Sequence, residues 1–304
     1  MNYCIENLIR NLPQRETPLK LDIILEGGAF NGGYQYGVMT FIDELKKKNY
    51  VETCRISGCS VGAIVGALFI FNKLHLFDFS YEKLRQNLKK NLNLKNLKRI
   101  IEDIFNDITV NDFKKFKNDT LFISYYDVIN KKHIVQSRFR DKEDLIAALL
   151  KSAHLPYIVN GDGLFDGKYV DGFFPYIFPE RERNNENKIL YLTINRFSQL
   201  YKIFNIQNEL SSSGRALEGI MDVYKFLLYQ KETKICSFIN EWSLLDYTKI
   251  RIKHLCIAIF IYIYYFGLKL YPYIAPFFTK IELFQYIQPV IKEYCRDLIL
   301  FLCF

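Results

Sequence analysis

Ser60 stands where a serine can act as a nucleophile. It lies between Gly58 and Gly62, after a short segment that predicts a strand and before residues 61–71, which predict a buried helix. In a G-x-S-x-G turn of this kind the serine oxygen is exposed, because the glycines let neighbouring backbone pass close by. The helix that follows directs its N-terminal amides towards that oxygen. The pattern therefore predicts a nucleophilic serine.

A glycine-rich loop is the second candidate element. Residues 21–25 predict a buried strand, and the loop that follows contains Gly27, Gly28, Gly32 and Gly33. Bare backbone amides in such a loop can hold an anion. A phosphate-binding loop ends in Gly-Lys-Ser or Gly-Lys-Thr, and a dinucleotide-binding loop has a different glycine spacing, so neither motif fits. An oxyanion hole beside a nucleophilic serine explains both loops together.

A carboxylate supplies the third element. Asp162, Asp166 and Asp171 crowd one part of the chain. The first two lie in Gly-Asp-Gly and Phe-Asp-Gly sequences, where aspartate has a local hydrogen-bonding role in the turn. Asp171 instead follows a short extended segment, residues 167–170, where a carboxylate needs another explanation. We therefore predict that Asp171 is the base that accepts the proton of the serine hydroxyl.

The order of these three elements resembles that of the patatin-like phospholipase family, which uses a serine–aspartate dyad. The family pattern is a glycine-rich loop after the first strand, a G-x-S-x-G turn and a later Asp-Gly-Gly or Asp-Gly-Ala. The resemblance implies that Ser60 is the nucleophile and Asp171 the general base and acid. It also implies an oxyanion hole made by Gly27, Gly28 and Ala29, with supporting glycines at Gly32, Gly58, Gly62 and Gly172.

Two residues depart from the family pattern. Asn31 stands where the family usually has arginine or lysine, so the contribution of that cation to the oxyanion hole is missing at this position. Phe173 replaces the small residue after Asp171 and Gly172, which narrows the approach to the site. We expect these changes to affect the rate and the substrate range more than the reaction.

A Ser-His-Asp triad is the rival arrangement. In an α/β-hydrolase the histidine follows the acidic residue along the chain. Of the four histidines only His254 follows Asp171, and it begins a long apolar stretch and not a turn-rich loop. His154 precedes Asp171 and is expected at the end of a helix. The scarcity of histidine therefore favours the dyad.

The resemblance implies an α/β fold, a three-layer sandwich around a central, mostly parallel sheet. We predict an N-terminal extension over residues 1–19, a catalytic domain over residues 20–200 and a helical, highly apolar region over residues 201–304. Within the predicted domain, residues 121–128 and 133–136 are expected to form a strand pair. A helix is expected over residues 141–153 and another buried strand over residues 189–194.

The chain changes character over residues 80–118, where one stretch predicts a basic amphipathic helix. Leu84, Leu88 and Leu92 recur at every fourth position among lysines and arginines. Such a helix either lies on an anionic bilayer or packs on the domain through its leucines. The sequence leaves both alternatives open.

The composition indicates a membrane-facing enzyme. Half of the 304 residues are hydrophobic, 16% are aromatic, and the formal net charge is +8. Because the chain has an ester-hydrolysis site and lacks a nucleic-acid-binding motif, we expect a phospholipid or other acyl-ester lipid and an anionic membrane surface as partners, and no nucleic acid. The seven cysteines lack Cys-x-x-Cys spacing, so no disulfide framework, metal or cofactor is expected. Residues 1–20 lack an apolar signal region, and we expect an intracellular, membrane-associated protein without a signal peptide.

The C-terminal third carries a long apolar run. Residues 254–268 contain no acidic residue, lysine or arginine, and they are preceded by Lys249, Arg251 and Lys253. A membrane span needs about 20 apolar residues, which residues 254–274 reach only if Lys269 snorkels. Residues 281–304 again predict an apolar helix. Insertion through the membrane, association in its plane and burial against the domain remain open.

These features favour a lipid acyl hydrolase that cleaves fatty-acyl esters through an acyl-enzyme and acts in lipid catabolism. A catalytically silent lipid-binding protein of the same fold is the first alternative, suggested by Asn31 and Phe173. An acyltransferase is the second, because it shares the first half-reaction with hydrolysis.

Overall fold

The computed structural model describes residues 2–109, 113, 116, 118–179, 186–194, 209, 211–279, 290 and 293. Its strands are β1 (Leu19–Leu25), β2 (Val51–Cys59), β3 (Leu121–Asp127), β4 (Lys132–Gln136), β5 (Tyr169–Asp171), β6 (Lys188–Leu192) and β7 (Cys236–Phe238). They form one sheet in the order β4-β3-β2-β1-β6-β7, and β5 pairs with β3 beside that path. The four central strands, β3, β2, β1 and β6, run parallel. The outer strands β4 and β7, and β5, are antiparallel to their neighbours.

Helices follow the strands in the order expected of an α/β protein. They are α1 (Asn2–Arg10), α2 (Gly32–Lys47), α3 (Val61–Ile70), α4 (Phe77–Asn91), α5 (Leu97–Phe105), α6 (Lys142–Ser152), α7 (Ser213–Tyr229) and α8 (Leu244–Thr279). The start of α6 has a clear local cause, since the side chain of Asp141 accepts a hydrogen bond from the amide of Asp144.

The two faces of β1 divide the core into layers. Side chains alternate across a strand, so Ile23 and Leu25 face one layer and Ile24 faces the other. Ile23 and Leu25 belong to the large cluster that α1 to α7 bury. Ile24 packs with Phe178 and Tyr191, and this second face is covered by Trp242 and the first turns of α8. The predicted α/β sandwich around a central sheet is confirmed.

The predicted elements inside the domain form with small shifts. The strand pair predicted over residues 121–128 and 133–136 is β3 and β4, the helix predicted over residues 141–153 is α6, and the strand predicted over residues 189–194 is β6. The predicted basic amphipathic helix is α4, which ends where Leu92 adopts a left-handed conformation, and α5 follows in the same basic segment. Leu88 is buried and Leu84 half-buried, so the leucines pack on the domain. Residues 110–112, 114, 115 and 117 of that segment lie outside the described residues.

Elements on both sides of the predicted domain limits join the same unit. Ile5 of α1 is fully buried in the core, although residues 1–19 were expected to be an extension. Beyond residue 200, α7 packs on α2 and β7 pairs with β6. Of the apolar C-terminal region, α8 is described, whereas the helix predicted over residues 281–304 lies outside the described residues except for 290 and 293.

Candidate active site

Ser60 occupies a sharp turn between β2 and α3. Its φ is 53° and its ψ −129°, a backbone conformation that residues other than glycine rarely adopt. The turn is possible because the flanking residues are glycines, which have no Cβ where the neighbouring backbone lies. A Cβ on Gly62 would meet the carbonyl oxygen of Leu25 at 2.6 Å, and one on Gly58 would meet the amide nitrogen of Ala63 at the same distance. The predicted turn thus requires glycine on both sides of the serine, and backbone strain of this kind is concentrated at functional sites.

Ser152, at the end of α6, forms hydrogen bonds that hold this turn in place. Its hydroxyl oxygen accepts a hydrogen bond from the amide of Ser60 at 2.8 Å and donates to the carbonyl of Ser124 at 2.7 Å. The buried amide of the strained residue is thereby paired, and α6 is connected to both β2 and β3. No local motif marks Ser152, because its partners are 92 and 28 residues away.

Sheet register brings Asp171 beside the turn. β2 pairs with β3 as far as Cys59 opposite Ser124, and β5 then pairs with β3 from Tyr125 opposite Asp171. The other edge of β3 is taken by β4, so β5 occupies the edge that β2 has just left. A Cβ on Gly172 would lie 2.3 Å from the carbonyl oxygen of Ser124, which explains the glycine after the aspartate.

The carboxyl group of Asp171 is fully buried, at 2% exposure. Burial raises its pKa from 3.8 to about 6, and the effect is offset only in part by the Ser60 hydroxyl and the amide of Phe173, which donates to Oδ1 at 2.7 Å. Oδ2 has no hydrogen-bond partner of ordinary geometry among the described residues. The Ser60 hydroxyl lies close enough to this carboxyl group to lower its pKa, and a catalytic hydrogen bond often closes fully only when substrate binds.

The glycine loop lies directly on the serine turn. A Cβ on Gly27 would lie 3.0 Å from Cβ of Ser60, and one on Gly32 would lie 2.2 Å from Cγ2 of Val61. Gly28 and Ala29 have positive φ values of 157° and 43°, which turn the chain sharply before the short 3-10 helix Ala29–Asn31. The structure therefore brings the predicted loop and the predicted nucleophile together.

Cys59 has a structural contact within this site. Its Sγ is fully buried and accepts a hydrogen bond from the amide of Gly27 at 3.0 Å. Burial raises the pKa of the thiol well above its ordinary value, and the nearby carboxyl groups of Asp171 and Glu26 act in the same direction. Because the Gly27 amide is engaged here, Gly28 and Ala29 are better placed as donors to an oxyanion.

A buried cation lies beside the position where the family pattern has one. Arg215 of α7 is 3% exposed, and its Nη1 donates to Oδ1 of Asn31 at 2.6 Å. Its Nε pairs with Glu209, which in turn accepts a hydrogen bond from Tyr81. A guanidinium from α7, itself ion-paired with Glu209, thus contacts the side chain of residue 31. A sequence pattern does not reveal this, because the two residues are 184 positions apart.

Glu26, at the start of the glycine loop, is a further residue that the motifs did not single out. It is 2% exposed, yet its carboxylate has three partners. Lys253 of α8 lies 2.6 Å away, the hydroxyl of Tyr191 2.8 Å and the amide of Ile194 3.0 Å. A buried carboxylate is tolerated when it is paired in this way, and these bonds hold the end of β1 in place.

The histidines do not complete a triad in the described residues. The ring of His254 stacks on the ring of Phe174 with centroids 4.1 Å apart. The ring of His133 also stacks on Phe174, with centroids 4.4 Å apart. His154 is fully buried near Phe165. No described hydrogen bond joins any of these rings to Ser60 or Asp171.

An apolar cavity of about 80 Å³ opens beside Ser60. Its walls come mainly from the turn after β1 and from α3, α4 and α5, and they include Phe30, Val61, Ile64, Tyr81, Leu84 and Ile100. The leucine side of the basic helix α4 thus forms part of the wall. The lining of this small cavity is apolar, as contact with hydrocarbon requires.

Comparison with known proteins agrees with this geometry. Residues 23–182, just over half of the chain, match the model of the patatin-like phospholipase family. The chain is also 25% identical over 165 residues to the omega-hydroxyceramide transacylase of Mus musculus. That match covers 52% of this chain but only 28% of the relative. The sheet, its flanking helices and the family match together show that the chain belongs to the patatin-like phospholipase family.

Proposed function

We propose that this protein is a lipid acyl hydrolase that cleaves fatty-acyl esters, with phospholipid at an anionic membrane surface as its substrate and lipid catabolism as its role. The observation that carries the proposal is the register of β3, which sets the buried carboxyl of Asp171 next to the strained Ser60. The apolar cavity that opens at the same serine supports a lipid substrate.

Asp171 is the general base in the proposed reaction. It takes the proton from the Ser60 hydroxyl as Oγ attacks the ester carbonyl, and a tetrahedral intermediate forms. The protonated carboxyl then gives this proton to the leaving alcohol, and the ester bond breaks to give the acyl-enzyme. Water attacks the acyl-enzyme in the same way and releases the fatty acid. A pKa of about 6 suits both steps, because the group can accept and return a proton near neutral pH.

The amides of Gly28 and Ala29 are the proposed donors to the oxyanion. Each well-placed donor contributes roughly 3 kcal/mol to the transition state. Gly27 contributes by holding the loop against Cys59, while Arg215 places a buried positive charge behind Asn31. The departure at residue 31 is therefore compatible with catalysis.

The proposal is tested by measuring fatty-acid release from mixed phospholipid vesicles. Ser60→Ala and Asp171→Asn should each abolish release while the protein stays folded, and a serine-reactive phosphonate should label the wild type but not Ser60→Ala. His254→Ala is the matched control and should retain activity. Full activity in either dyad variant overturns the proposal. Absence of both release and labelling in the wild type would favour a silent lipid-binding protein.

Transacylation is the second candidate, favoured by the similarity to the mouse transacylase. The apolar lining of the cavity keeps water away from an acyl-enzyme, which would favour an alcohol as acceptor. Product analysis with added glycerol or lysolipid separates the two reactions. Acylated acceptor in excess over free fatty acid would identify an acyltransferase, and free fatty acid alone would identify a hydrolase.

A further inference from the structure

The two sides of α8 differ in what covers them. Partly or fully buried residues recur at three- and four-residue spacing, and this side packs on the catalytic domain; they include Ile250, His254, Ile257, Ile261, Tyr264 and Leu268. The opposite side carries large apolar residues that are between 48% and 65% exposed. They are Ile252, Leu255, Ile259, Phe260, Ile263 and Phe266, which we call the apolar stripe.

Specific contacts hold the packed side to the domain. Lys253 pairs with the buried Glu26 at 2.6 Å, and the ring of His254 stacks on Phe174. Further along, the hydroxyl of Tyr264 donates to the carbonyl of Gly163 at 3.1 Å. These contacts join α8 to the sheet and to the loop before β5, so the helix is a fixed part of the domain surface.

These contacts are incompatible with a membrane span. By length and composition alone, Leu244–Tyr271 could cross a bilayer. However, the domain covers one side of α8 from Lys253 to Leu268, about 22 Å at 1.5 Å per residue, against a hydrocarbon thickness of about 30 Å. A spanning α8 would carry the polar loop around Gly163 into the hydrocarbon, where its backbone groups would lack partners.

Charge along the helix fits a lipid headgroup layer. Arg251, Tyr262 and Lys269 are spaced so that they follow one edge of the apolar stripe, and all three are exposed. Lys131 lies over the Tyr262 ring on the same edge. The stripe between Arg251 and Lys269 contains no charged residue. Apolar residues bordered by cations and tyrosine are typical of helices that lie at an anionic membrane surface.

The same charges disfavour a second copy of the chain as the partner. An antiparallel copy packed on the stripe would bring Arg251 of one chain beside Lys269 of the other, and like charges across an interface are repulsive. Anionic lipid meets both cations favourably.

We propose that α8 lies in the plane of an anionic membrane surface, with the apolar stripe in one leaflet and its other side on the catalytic domain. Since Lys253 bonds to Glu26, directly before the glycine loop, the contact holds the active site beside the leaflet. The orientation of α8 is independent of the proposed function, and only its role, which is to bring Ser60 to lipid, rests on that function.

Labelling from one side of a vesicle tests the orientation. The full chain carries Ser60→Ala, so that catalysis plays no part, and every cysteine except the buried Cys59 and Cys236 is changed to serine. Arg251→Cys, Phe260→Cys or Lys269→Cys is then added singly. The protein is mixed with vesicles of phosphatidylcholine and phosphatidylserine, and a membrane-impermeant maleimide is added outside.

The in-plane orientation predicts that Phe260→Cys loses its labelling on vesicles, while Arg251→Cys and Lys269→Cys both stay reactive. Loss at only one end until the vesicles are permeabilised would show a span and overturn the proposal. Unchanged labelling of Phe260→Cys would show that the stripe does not enter lipid. Protection of Phe260→Cys without vesicles, together with a dimer by light scattering, would show a second copy instead.

Vesicle sedimentation with matched variants tests the stripe itself. Phe260→Ser with Ile263→Ser should abolish binding to these vesicles. Leu217→Ser with Tyr229→Ser removes two similarly exposed apolar side chains from α7 and should leave binding unchanged. Equal loss in both pairs would overturn the assignment of binding to α8. All variants carry Ser60→Ala, so failure of the proposed reaction does not affect the result.

Discussion

At the scale of single residues, the environment of the Asp171 carboxyl is what supports its proposed role as the base. Its burial makes the charged form unfavourable, so a group that is an ordinary weak base in water becomes a stronger one here. The serine that it serves is held in a conformation that a relaxed loop would leave. Both features require tight packing around two small groups.

The pH dependence of activity should report this carboxyl. Asp171 acts as a base only when ionised, so kcat/KM should rise with pH, with a midpoint near its pKa of about 6, and level off above it. Initial rates with a soluble ester across the acid range measure the profile. A midpoint near 4, the ordinary value for aspartate, would contradict the role of burial.

The same shift predicts a change in stability. The pKa of Asp171 is about 6 in the folded protein and near 3.8 in the unfolded chain. Its ionisation therefore leaves the free energy of unfolding nearly unchanged below about pH 4 and lowers it by the full amount above about pH 6. Two units correspond to about 3 kcal/mol. Asp171→Asn keeps an acceptor for the Phe173 amide, and it should be more stable than wild type at pH 8 but not at pH 4. Urea unfolding at both pH values tests this, and an equal difference at the two would contradict it.

At the scale of elements, the serine turn is shaped by three neighbours. β2 and α3 form it, the glycine loop after β1 packs on it, and α6 bonds to it through Ser152. Asp171 lies on β5, which pairs with the part of the β3 edge that β2 does not cover, because β4 occupies the opposite edge of β3. The site is therefore a property of strand register and not of any single loop.

Ser152→Ala should weaken this connection. The buried amide of Ser60 would lose its acceptor, which costs roughly 1–3 kcal/mol, and relaxation of the turn should lower kcat more than it changes KM. Ser152→Thr keeps the hydroxyl and should restore part of the rate. Ser57→Ala is the matched control, because the Ser57 hydroxyl is buried on β2 without a hydrogen-bond partner among the described residues. Similar losses in both alanine variants would contradict a positioning role for Ser152.

The ion pair between α8 and β1 is a second connection between elements. Lys253→Met removes a cation that pairs with the buried Glu26, and because Lys253 is about a third exposed we expect the free energy of unfolding to fall by roughly 1–3 kcal/mol. Adding Glu26→Gln should recover most of this loss. Lys249→Met removes an exposed pair with Asp246 and should cost little. Thermal unfolding of the wild type and the three variants measures these differences in stability. A double variant no more stable than Lys253→Met would exclude a direct coupling between Lys253 and Glu26.

At the scale of the whole molecule, positive charge and an apolar surface would both favour the proposed partner, an anionic membrane. The formal net charge is +8, and the apolar stripe of α8 is bordered by cations. Attraction between separated charges is screened within about 8 Å at physiological salt, whereas burial of apolar side chains is not. The two contributions to membrane binding can therefore be separated.

Rising salt should weaken binding to anionic vesicles and leave binding to neutral ones nearly unchanged. Sedimentation of Ser60→Ala with phosphatidylcholine vesicles, with and without phosphatidylserine, measures both across a salt series. Binding that depends on salt to the same degree for both lipid compositions would contradict an electrostatic contribution.

The sequence by itself determined most of the secondary structure and the residues on which the proposed chemistry rests. Ser60 with its glycines, the glycine loop and Asp171 are recognisable locally, because a sharp turn and an anion site require particular residue types at short spacing. Strands such as β1 and β6 are visible as apolar runs bounded by turns. The proximity of the three motifs was expected from their resemblance to a family, not from local pattern.

Only the tertiary structure decided which distant residues support that site. Ser152, Glu26 with Lys253, and Arg215 with Asn31 are paired across 92 to 227 positions, and no local spacing encodes such contacts. The apolar run around residue 260 was equally compatible with a span, a surface helix and a buried hairpin. Packing of one side of α8 on the domain is the tertiary observation on which the proposed in-plane orientation rests, because a helix covered by protein along one side is not surrounded by lipid.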